Sequence, residues 1–178
     1  MNRVPPLADD ALPPDADAAL QMHAAQGHRI TNMKRTLARS VPAFRALMQW
    51  YPLRDTVEPF LGTRLTNLFA HAISTRTDCL ICSTFFRRWL QEAGEDPDAL
   101  RLDERERVVT EYGRQLARDA NSVTDELVGR LKQFLDDRQL VALTAFGGLM
   151  IATNVFNNAL RVDLDEYLVP FRKKEDAR

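Results

Sequence analysis

The chain has 178 residues, of which 45% are hydrophobic and 28% are charged, and its formal net charge is -1. This length suits a single domain with a sizeable hydrophobic core, and the composition is ordinary for a soluble globular protein. A net charge this small provides no long-range field to attract nucleic acids or acidic membranes, so we expect neither as a partner.

The start of the chain favours an extended arm ahead of the folded domain. Residues 1–16 contain four of the nine prolines and no apolar run that could serve as a secretory signal. The longest apolar tract, 142–156, is interrupted by polar residues and is too short to span a bilayer. We therefore expect a cytoplasmic protein with a flexible arm at 1–16, one helical domain at 17–170 and a charged tail at 171–178.

Apolar residues recur at helical spacing along the whole domain, and no segment shows the alternation of a β-strand. A helix from Pro42 to Tyr51 should be ended by Pro52, and Trp50 within it is expected to pack in the core, with a pocket as the alternative. Ser122 and Asp125 resemble a capping box that opens a later helix. Further helices are predicted at 17–26, 32–39, 65–76, 79–90, 102–119 and 137–160. The sequence thus predicts an all-α compact bundle of about seven or eight helices.

The predicted helix 137–160 contains two adjacent glycines, Gly147 and Gly148. A glycine costs about 1 kcal/mol relative to alanine in an exposed helix, so we expect a close contact between helices here, with a ligand gap as the alternative. Asn154, Asn157 and Asn158 follow on the same helix. We interpret them as candidates for capping polar groups at a subunit boundary.

The two cysteines, Cys79 and Cys82, are the part of the sequence that suggests chemistry. If Thr77 or Asp78 caps the following helix, both thiols lie within its first turn. Residues three apart on a helix are close enough to form a disulfide, and the positive end of the helix stabilises a thiolate. In the reducing cytoplasm such a pair favours a cycling dithiol over a permanent cross-link.

Two other roles fit the same cysteines. A cysteine is small and apolar enough to belong to the core, and C-x-x-C is also half of a structural zinc site. A zinc site would need further ligands, and the three histidines are scattered at His23, His28 and His71. Because Cys82 shares a helix face with aromatic residues while Cys79 lies at the beginning of the helix, we predict one buried and one exposed thiol.

The cysteine segment resembles the AhpD-like alkylhydroperoxidase branch of the carboxymuconolactone decarboxylase family. The resemblance rests on an amphipathic helix, a short break, the C-x-x-C pair opening a Phe-rich helix, Gly94 with an acidic loop, and the helix FGGLMIATNVFNNAL. It covers most of residues 30–168. It implies a homo-oligomer that needs no metal or organic cofactor, in which Cys82 attacks the substrate, Cys79 resolves the product as a disulfide and an external dithiol reductant restores both thiols.

Two positions depart from the pattern of that family. A glutamate is expected twelve residues before the first cysteine and a histidine four residues after the second, and here these positions are Asn67 and Phe86. Neither side chain carries a proton at neutral pH, so the proton relay is absent. His71, one helical turn after Asn67, is our candidate for a substitute base, with a packed or solvated histidine as the alternative.

The sequence therefore predicts a thiol-dependent oxidoreductase that reduces a hydroperoxide or a disulfide, with Cys82, Cys79 and His71 as its catalytic residues. One alternative is a helical oligomer that has lost turnover and binds a small hydrophobic ligand or a partner. The other, a cofactor-free lyase similar to carboxymuconolactone decarboxylase, follows from the family resemblance alone.

Overall fold

The computed structural model describes residues 2–173, and all of its regular secondary structure is helical. This confirms the predicted all-α class, with nine α-helices over the described residues in place of seven or eight. The α-helices are α1 Pro14–Ala25, α2 Asn32–Leu37, α3 Val41–Met48, α4 Trp50–Leu61, α5 Thr63–Arg76, α6 Leu80–Glu92, α7 Glu104–Asp119, α8 Asp125–Leu131 and α9 Asp137–Leu160. Short 3-10 helices lie at Asp9–Ala11, Ala120–Ser122 and Glu166–Phe171.

The helix predicted from Pro42 to Tyr51 is in fact two helices, because Pro52 does not end it. α3 ends at Met48 and α4 begins at Trp50, which makes Pro52 the third residue of α4. The first N–H groups of a helix have no intrahelical partner, so a proline at this position removes no hydrogen bond. Trp50 and Tyr51 are therefore the first two residues of α4 and not the last two of the preceding helix.

The starts of the later helices are set by side-chain caps. Asp103 opens α7 and Asp136 opens α9, each in a reciprocal capping box with the residue three positions on. α8 is capped by Thr124, whose hydroxyl accepts the N–H of Leu127, so the predicted box at Ser122 is wrong. Ser122 lies two residues before Thr124, at the end of the 3-10 helix Ala120–Ser122.

α5 is the central helix of the bundle and packs against α4, α6, α7 and α9. Its Phe69 lies in van der Waals contact with two glycine backbones. A Cβ on Gly113 of α7 would lie 2.9 Å from the Phe69 ring, and a Cβ on Gly147 of α9 would lie 3.0 Å from it. Gly147 therefore serves the predicted helix contact, whereas nothing lies within 4 Å of the equivalent position on Gly148.

The N-terminal residues pack on their own domain. Leu7 is buried, the Arg3 N–H donates to the Leu160 carbonyl at 2.9 Å, and the Arg39 side chain donates to the Pro5 carbonyl at 2.8 Å. α1 begins three residues before the predicted domain start at residue 17. The flexibility of the arm stays a prediction, and residues 174–178 of the predicted charged tail lie outside the described residues.

α9 has 24 residues. It is therefore longer than the apolar tract 142–156, which was predicted to be too short to span a bilayer. Among residues 2–173 it is the one helix whose length and composition would allow it to cross a membrane. The core helix of a bundle passes the same test. α9 packs against α3, α4, α5, α6 and α7. Contacts with five neighbouring helices are those of a helix that belongs to the core of the bundle.

Candidate thiol site

Both cysteines lie at the junction where α5 ends and α6 begins. Thr77 is the C-cap of α5, Asp78 adopts a left-handed conformation with φ of 52°, and Cys79 is the N-cap of α6. The prediction that Thr77 or Asp78 caps α6 is therefore wrong, because Asp78 is used to reverse the chain direction. Cys82 follows as the third residue of α6, so both sulfurs lie in its first turn as predicted.

Both thiols are buried, so the prediction of an exposed Cys79 is wrong. Cys79 is 0% exposed and Cys82 is 8% exposed. The start of α6 is covered by α9, which a helical-face argument confined to α6 does not include. Cys82 is among the residues that line an internal cavity, and Cys79 is not among those described as lining it.

Three asparagines of α9 bind the α5–α6 junction. The Asn157 amide nitrogen lies 3.4 Å from the Cys82 sulfur and 3.8 Å from the Cys79 sulfur. Asn154 donates to the Thr77 hydroxyl at 2.8 Å, and Asn158 donates to the Thr77 carbonyl at 2.9 Å. These bonds are within one chain, and the predicted role at a subunit boundary stays a prediction. Three amides within one turn and a half of an otherwise apolar helix were the signal for these bonds.

The two thiols differ in acidity. The pKa of Cys79 is lowered to about 7, chiefly because the Cys82 thiol donates a hydrogen bond to it. Burial raises this pKa, whereas hydrogen bonds from the N–H groups of Cys82 and Ile81 and from the Asn157 amide lower it further. The pKa of Cys82 is raised because its proton is held by Cys79, because burial disfavours its charged form and because the charge of Cys79 repels a second charge. At neutral pH the first negative charge of the pair therefore rests on Cys79, with the remaining proton on Cys82.

His71 lies on α5 with its Nε2 atom 3.5 Å from the Thr75 hydroxyl. Burial, and then the positive charge of Arg87, lower its pKa to about 4, so the ring is neutral at pH 7. It is not among the residues described as lining the cavity. The structure thus brings Cys79 and Cys82 together without showing a contact to His71, whose role as a base stays a prediction.

The two positions that depart from the family pattern have structural roles here. The Asn67 amide donates to the Thr63 carbonyl at 2.9 Å within α5. Phe86 is buried and lines the cavity beside Cys82. Of the arginines near the pair, Arg87 makes a bidentate ion pair with Asp98 at 2.9 and 2.7 Å, so its charge is directed to a carboxylate.

The cavity has a volume of about 250 Å³ and is apolar where it meets the thiol. Trp50, which was expected in the core, lines it and donates its indole N–H to the Met150 sulfur. Another part of its lining, which we call the polar end, holds charged groups from α2, from the loop before α2 and from the segment after α9. The main lining residues are Ile81, Phe85 and Phe86 at the thiol end and His28, Lys34 and Asp165 at the polar end.

Within residues 2–173 no group of three or more His, Cys, Asp or Glu side chains is arranged to hold a metal ion. The chemistry available at the site is that of two neighbouring thiols, one of which faces an apolar cavity. Such a pair can attack an electrophilic oxygen or sulfur atom and then close a disulfide.

Neither protein-family models nor the sequences of curated proteins match this chain. Solved structures do match it over nearly the whole length. An uncharacterized peroxidase-related protein from Silicibacter sp. TM1040 has a TM-score of 0.75 and 18% identity, covering 94% of this chain and 96% of that one. An uncharacterized peroxidase-related protein with an alkylhydroperoxidase AhpD core, from Ralstonia eutropha JMP134, has a TM-score of 0.75 and 17% identity, covering 98% of both chains.

The debrominase Bmp8 in complex with 2,3,4-tribromopyrrole is similar to the same degree, with a TM-score of 0.75 and 14% identity over 94% of both chains. At these identities the similarity establishes the fold, and the activities of the matching proteins differ among themselves. The helices described above, with a C-x-x-C pair at the α5–α6 junction, thus form an AhpD-like fold.

Proposed function

We propose that this protein is a thiol-dependent oxidoreductase that reduces a hydroperoxide or a disulfide through Cys82 and Cys79. The observation that carries the proposal is the position of Cys82, which lines the cavity while its sulfur and that of Cys79 lie 3.4 and 3.8 Å from the same Asn157 amide nitrogen. A substrate that enters the cavity meets Cys82 first, and the second sulfur needed to complete the reaction lies directly behind it.

The first step uses the pair as its own acid and base. As the substrate arrives, the Cys82 proton passes to the Cys79 thiolate, and the Cys82 thiolate attacks the terminal oxygen of the hydroperoxide. The S–O bond forms while the O–O bond breaks, which leaves a sulfenic acid on Cys82 and releases the alcohol once the alkoxide takes a proton from solvent water. In this mechanism Cys79 performs the proton transfer for which the residues at Asn67 and Phe86 are unsuited.

The second step closes the disulfide. The Cys79 sulfur attacks the sulfenic sulfur of Cys82, the S–S bond forms, and hydroxide leaves and combines with the Cys79 proton as water. A disulfide substrate follows the same route with a thiolate as the leaving group. An external dithiol then reduces the Cys79–Cys82 disulfide by thiol–disulfide exchange, which completes the cycle without a metal or organic cofactor.

The test is to count free thiols on the reduced protein before and after one equivalent of cumene hydroperoxide, for the wild type, Cys79→Ser and Cys82→Ser. We expect the wild type to lose both thiols together and to recover them with a dithiol. Cys79→Ser, which lacks the proposed base, should react about a hundredfold more slowly and stop at a sulfenic acid that a dimedone probe traps, and Cys82→Ser should not react. Thiols that stay inert under conditions that oxidise a free cysteine would overturn the proposal and favour a binding protein.

His71 provides a second arm of the same test, because the sequence nominates it as the base. With Cys79 as the base, His71→Gln should keep the rate of thiol oxidation within about twofold of the wild type. A loss of about a hundredfold, the usual contribution of a general base, would assign proton transfer to His71 instead.

We also propose that the cytoplasmic protein is a homo-oligomer that associates through the outer face of α9. Val141 and Val155 are 69% and 58% exposed, and Ala145 and Gly148 lie between them on the same exposed face. Apolar and small side chains at this spacing allow two helices to approach closely. Light scattering should give a multiple of the 20.3 kDa chain mass, and Val155→Glu should reduce it to the monomer value.

A further inference from the structure

The polar end of the cavity contains groups that the thiol chemistry does not use. Lys34 from α2 lies there beside Tyr51 from α4 and Asp165 from the segment that precedes the last 3-10 helix. His28 and Arg29 come from the loop between α1 and α2. These five side chains line the same cavity as Cys82, so a ligand that reaches the thiol also meets them.

Lys34 is a buried cation that has no carboxylate within ion-pair distance among the described residues, although the charge of Asp165 acts on it from further away. The residue is 4% exposed, its ammonium donates to the Arg29 carbonyl at 2.6 Å and to the Tyr51 hydroxyl at 2.8 Å, and within residues 2–173 it forms no ion pair. An ammonium has three N–H donors, so one more acceptor can be bound. A buried charge is costly unless it is paired, and an anion in the cavity would supply the missing partner.

The other charges of the cavity support an anionic ligand. Arg29 and Lys34 outnumber the single carboxylate, Asp165, while burial lowers the pKa of His28, which favours its neutral form. Asp165 is itself engaged, since one of its oxygens accepts the Asn32 N–H at 2.9 Å. Its other oxygen is buried without a hydrogen-bond partner in the described residues, and so can accept a hydrogen bond from a ligand O–H group.

The size and walls of the cavity restrict the rest of the ligand. A dry apolar cavity of about 150 Å³ is enough to hold benzene, so a volume of about 250 Å³ admits one substituted ring. Trp50, Phe85 and Phe86 line the same cavity as Lys34 and Cys82. Aromatic walls of this kind favour a flat apolar ring.

We propose that the cavity binds a small aromatic acid, with its acidic oxygens on Lys34 and its ring against Trp50 and the phenylalanines, so that the opposite side of the ring faces Cys82. This inference rests on the proposed function for the reaction and adds the substrate class, an aromatic hydroperoxide that carries an acidic group. Lys34 is then a specificity residue.

The binding test compares 4-isopropylbenzoate with its neutral isostere 4-isopropylbenzamide by isothermal titration calorimetry on the reduced wild-type protein. We expect the benzoate to bind about tenfold more tightly or better, because a hydrogen bond between two charged groups is the stronger kind. Lys34→Met should remove the preference and leave benzamide binding unchanged. Lys132→Met is the matched control, since Lys132 pairs with Asp137 on the surface.

A pH series on the wild type keeps the test decisive if Lys34→Met does not fold. Burial lowers the pKa of Lys34 to about 8. The affinity for the benzoate should therefore fall as the pH rises above 8, and the affinity for the benzamide should not. Equal binding of the two probes at pH 7, or a preference for the benzoate that persists in Lys34→Met, would overturn the inference.

Reaction rates separate this inference from the proposed function. Cumene hydroperoxide and its para-carboxylate offer the same O–O bond without and with an acidic group, and we expect kcat/KM to favour the carboxylate about tenfold in the wild type. If the thiols react with neither compound while the benzoate still binds preferentially, the proposed reaction fails and the ligand class stands. If both react at the same rate, the reaction stands and the ligand class fails.

Discussion

The two ends of the cavity are built by different means. At the thiol end, Cys79 and Cys82 lie in the first turn of α6 and are held by backbone N–H groups and by the neutral Asn157 amide. At the polar end, Lys34 and Asp165 lie on a six-residue helix and ahead of a short 3-10 helix, and the interactions involve full charges. The reacting atoms are thus positioned by long packed helices, whereas the charges that would select a ligand lie on the shorter elements around the opening.

A buried basic side chain lies near each end of the cavity, His71 at the thiol end and Lys34 at the polar end. A substitution of His71 tests the thiol end. His71, behind the thiol end, has a pKa lowered to about 4 by burial, so the unfolded chain binds its proton at a higher pH than the folded one. Stability should therefore fall as the pH drops from 6.5 towards 4, by about 3 kcal/mol from this residue. His71→Gln should remove that part of the fall in denaturant titrations at pH 7 and pH 4. An unchanged pH dependence would contradict a sealed, neutral ring.

Asn157 is the residue of α9 whose amide lies close to both cysteine sulfurs. Asn157→Leu removes the amide that lies 3.4 Å from the Cys82 sulfur and should raise the pKa of the thiol pair by about one unit, leaving roughly fivefold fewer thiolates at pH 7, where the Cys79 pKa of about 7 lies. The ultraviolet absorbance of the thiolate against pH measures this. Asn158→Leu, which loses a bond to the Thr77 carbonyl, is the control and should leave the thiol titration in place.

The packing of α9 behind the thiol end is tested by its two glycines. Gly147→Ala puts a methyl group 3.0 Å from the Phe69 ring and from Leu116, and should destabilise the fold by about 1–3 kcal/mol. Gly148→Ala has open space around the same atom and should stabilise the helix by about 0.5–1 kcal/mol. Urea unfolding measures both, and the prediction fails if the two changes have the same sign.

The turn that carries Cys79 depends on one residue with positive φ. Asp78→Val should cost about 1 kcal/mol or slightly more, because a β-branched side chain fits the left-handed region poorly. Asp78→Gly should be neutral or slightly stabilising, since glycine has no such penalty. If both variants lose the same amount of stability, the Asp78 side chain has a role other than permitting this conformation.

Much of the helical framework was predictable because its signals are local. α9 has the predicted bounds of 137–160, and α7 begins where an aspartate meets an apolar stripe. The boundary between α3 and α4 was missed because Pro52 fits the first turn of a new helix as well as the end of an old one. The cap of α6 was missed because Asp78 takes a conformation usually associated with glycine.

The all-α class and the pairing of Cys79 with Cys82 on one helix turn were determined by the sequence alone, because spacing along a helix decides both. The burial of Cys79, the amide that serves both thiols and the unpaired Lys34 were decided by the tertiary structure. Asn157 and Cys82 lie 75 residues apart, and the cavity draws its walls from five α-helices, the 3-10 helix Glu166–Phe171 and two connecting segments. Contacts between such distant residues depend on how whole helices pack, and helical periodicity carries no information on which face meets which neighbour.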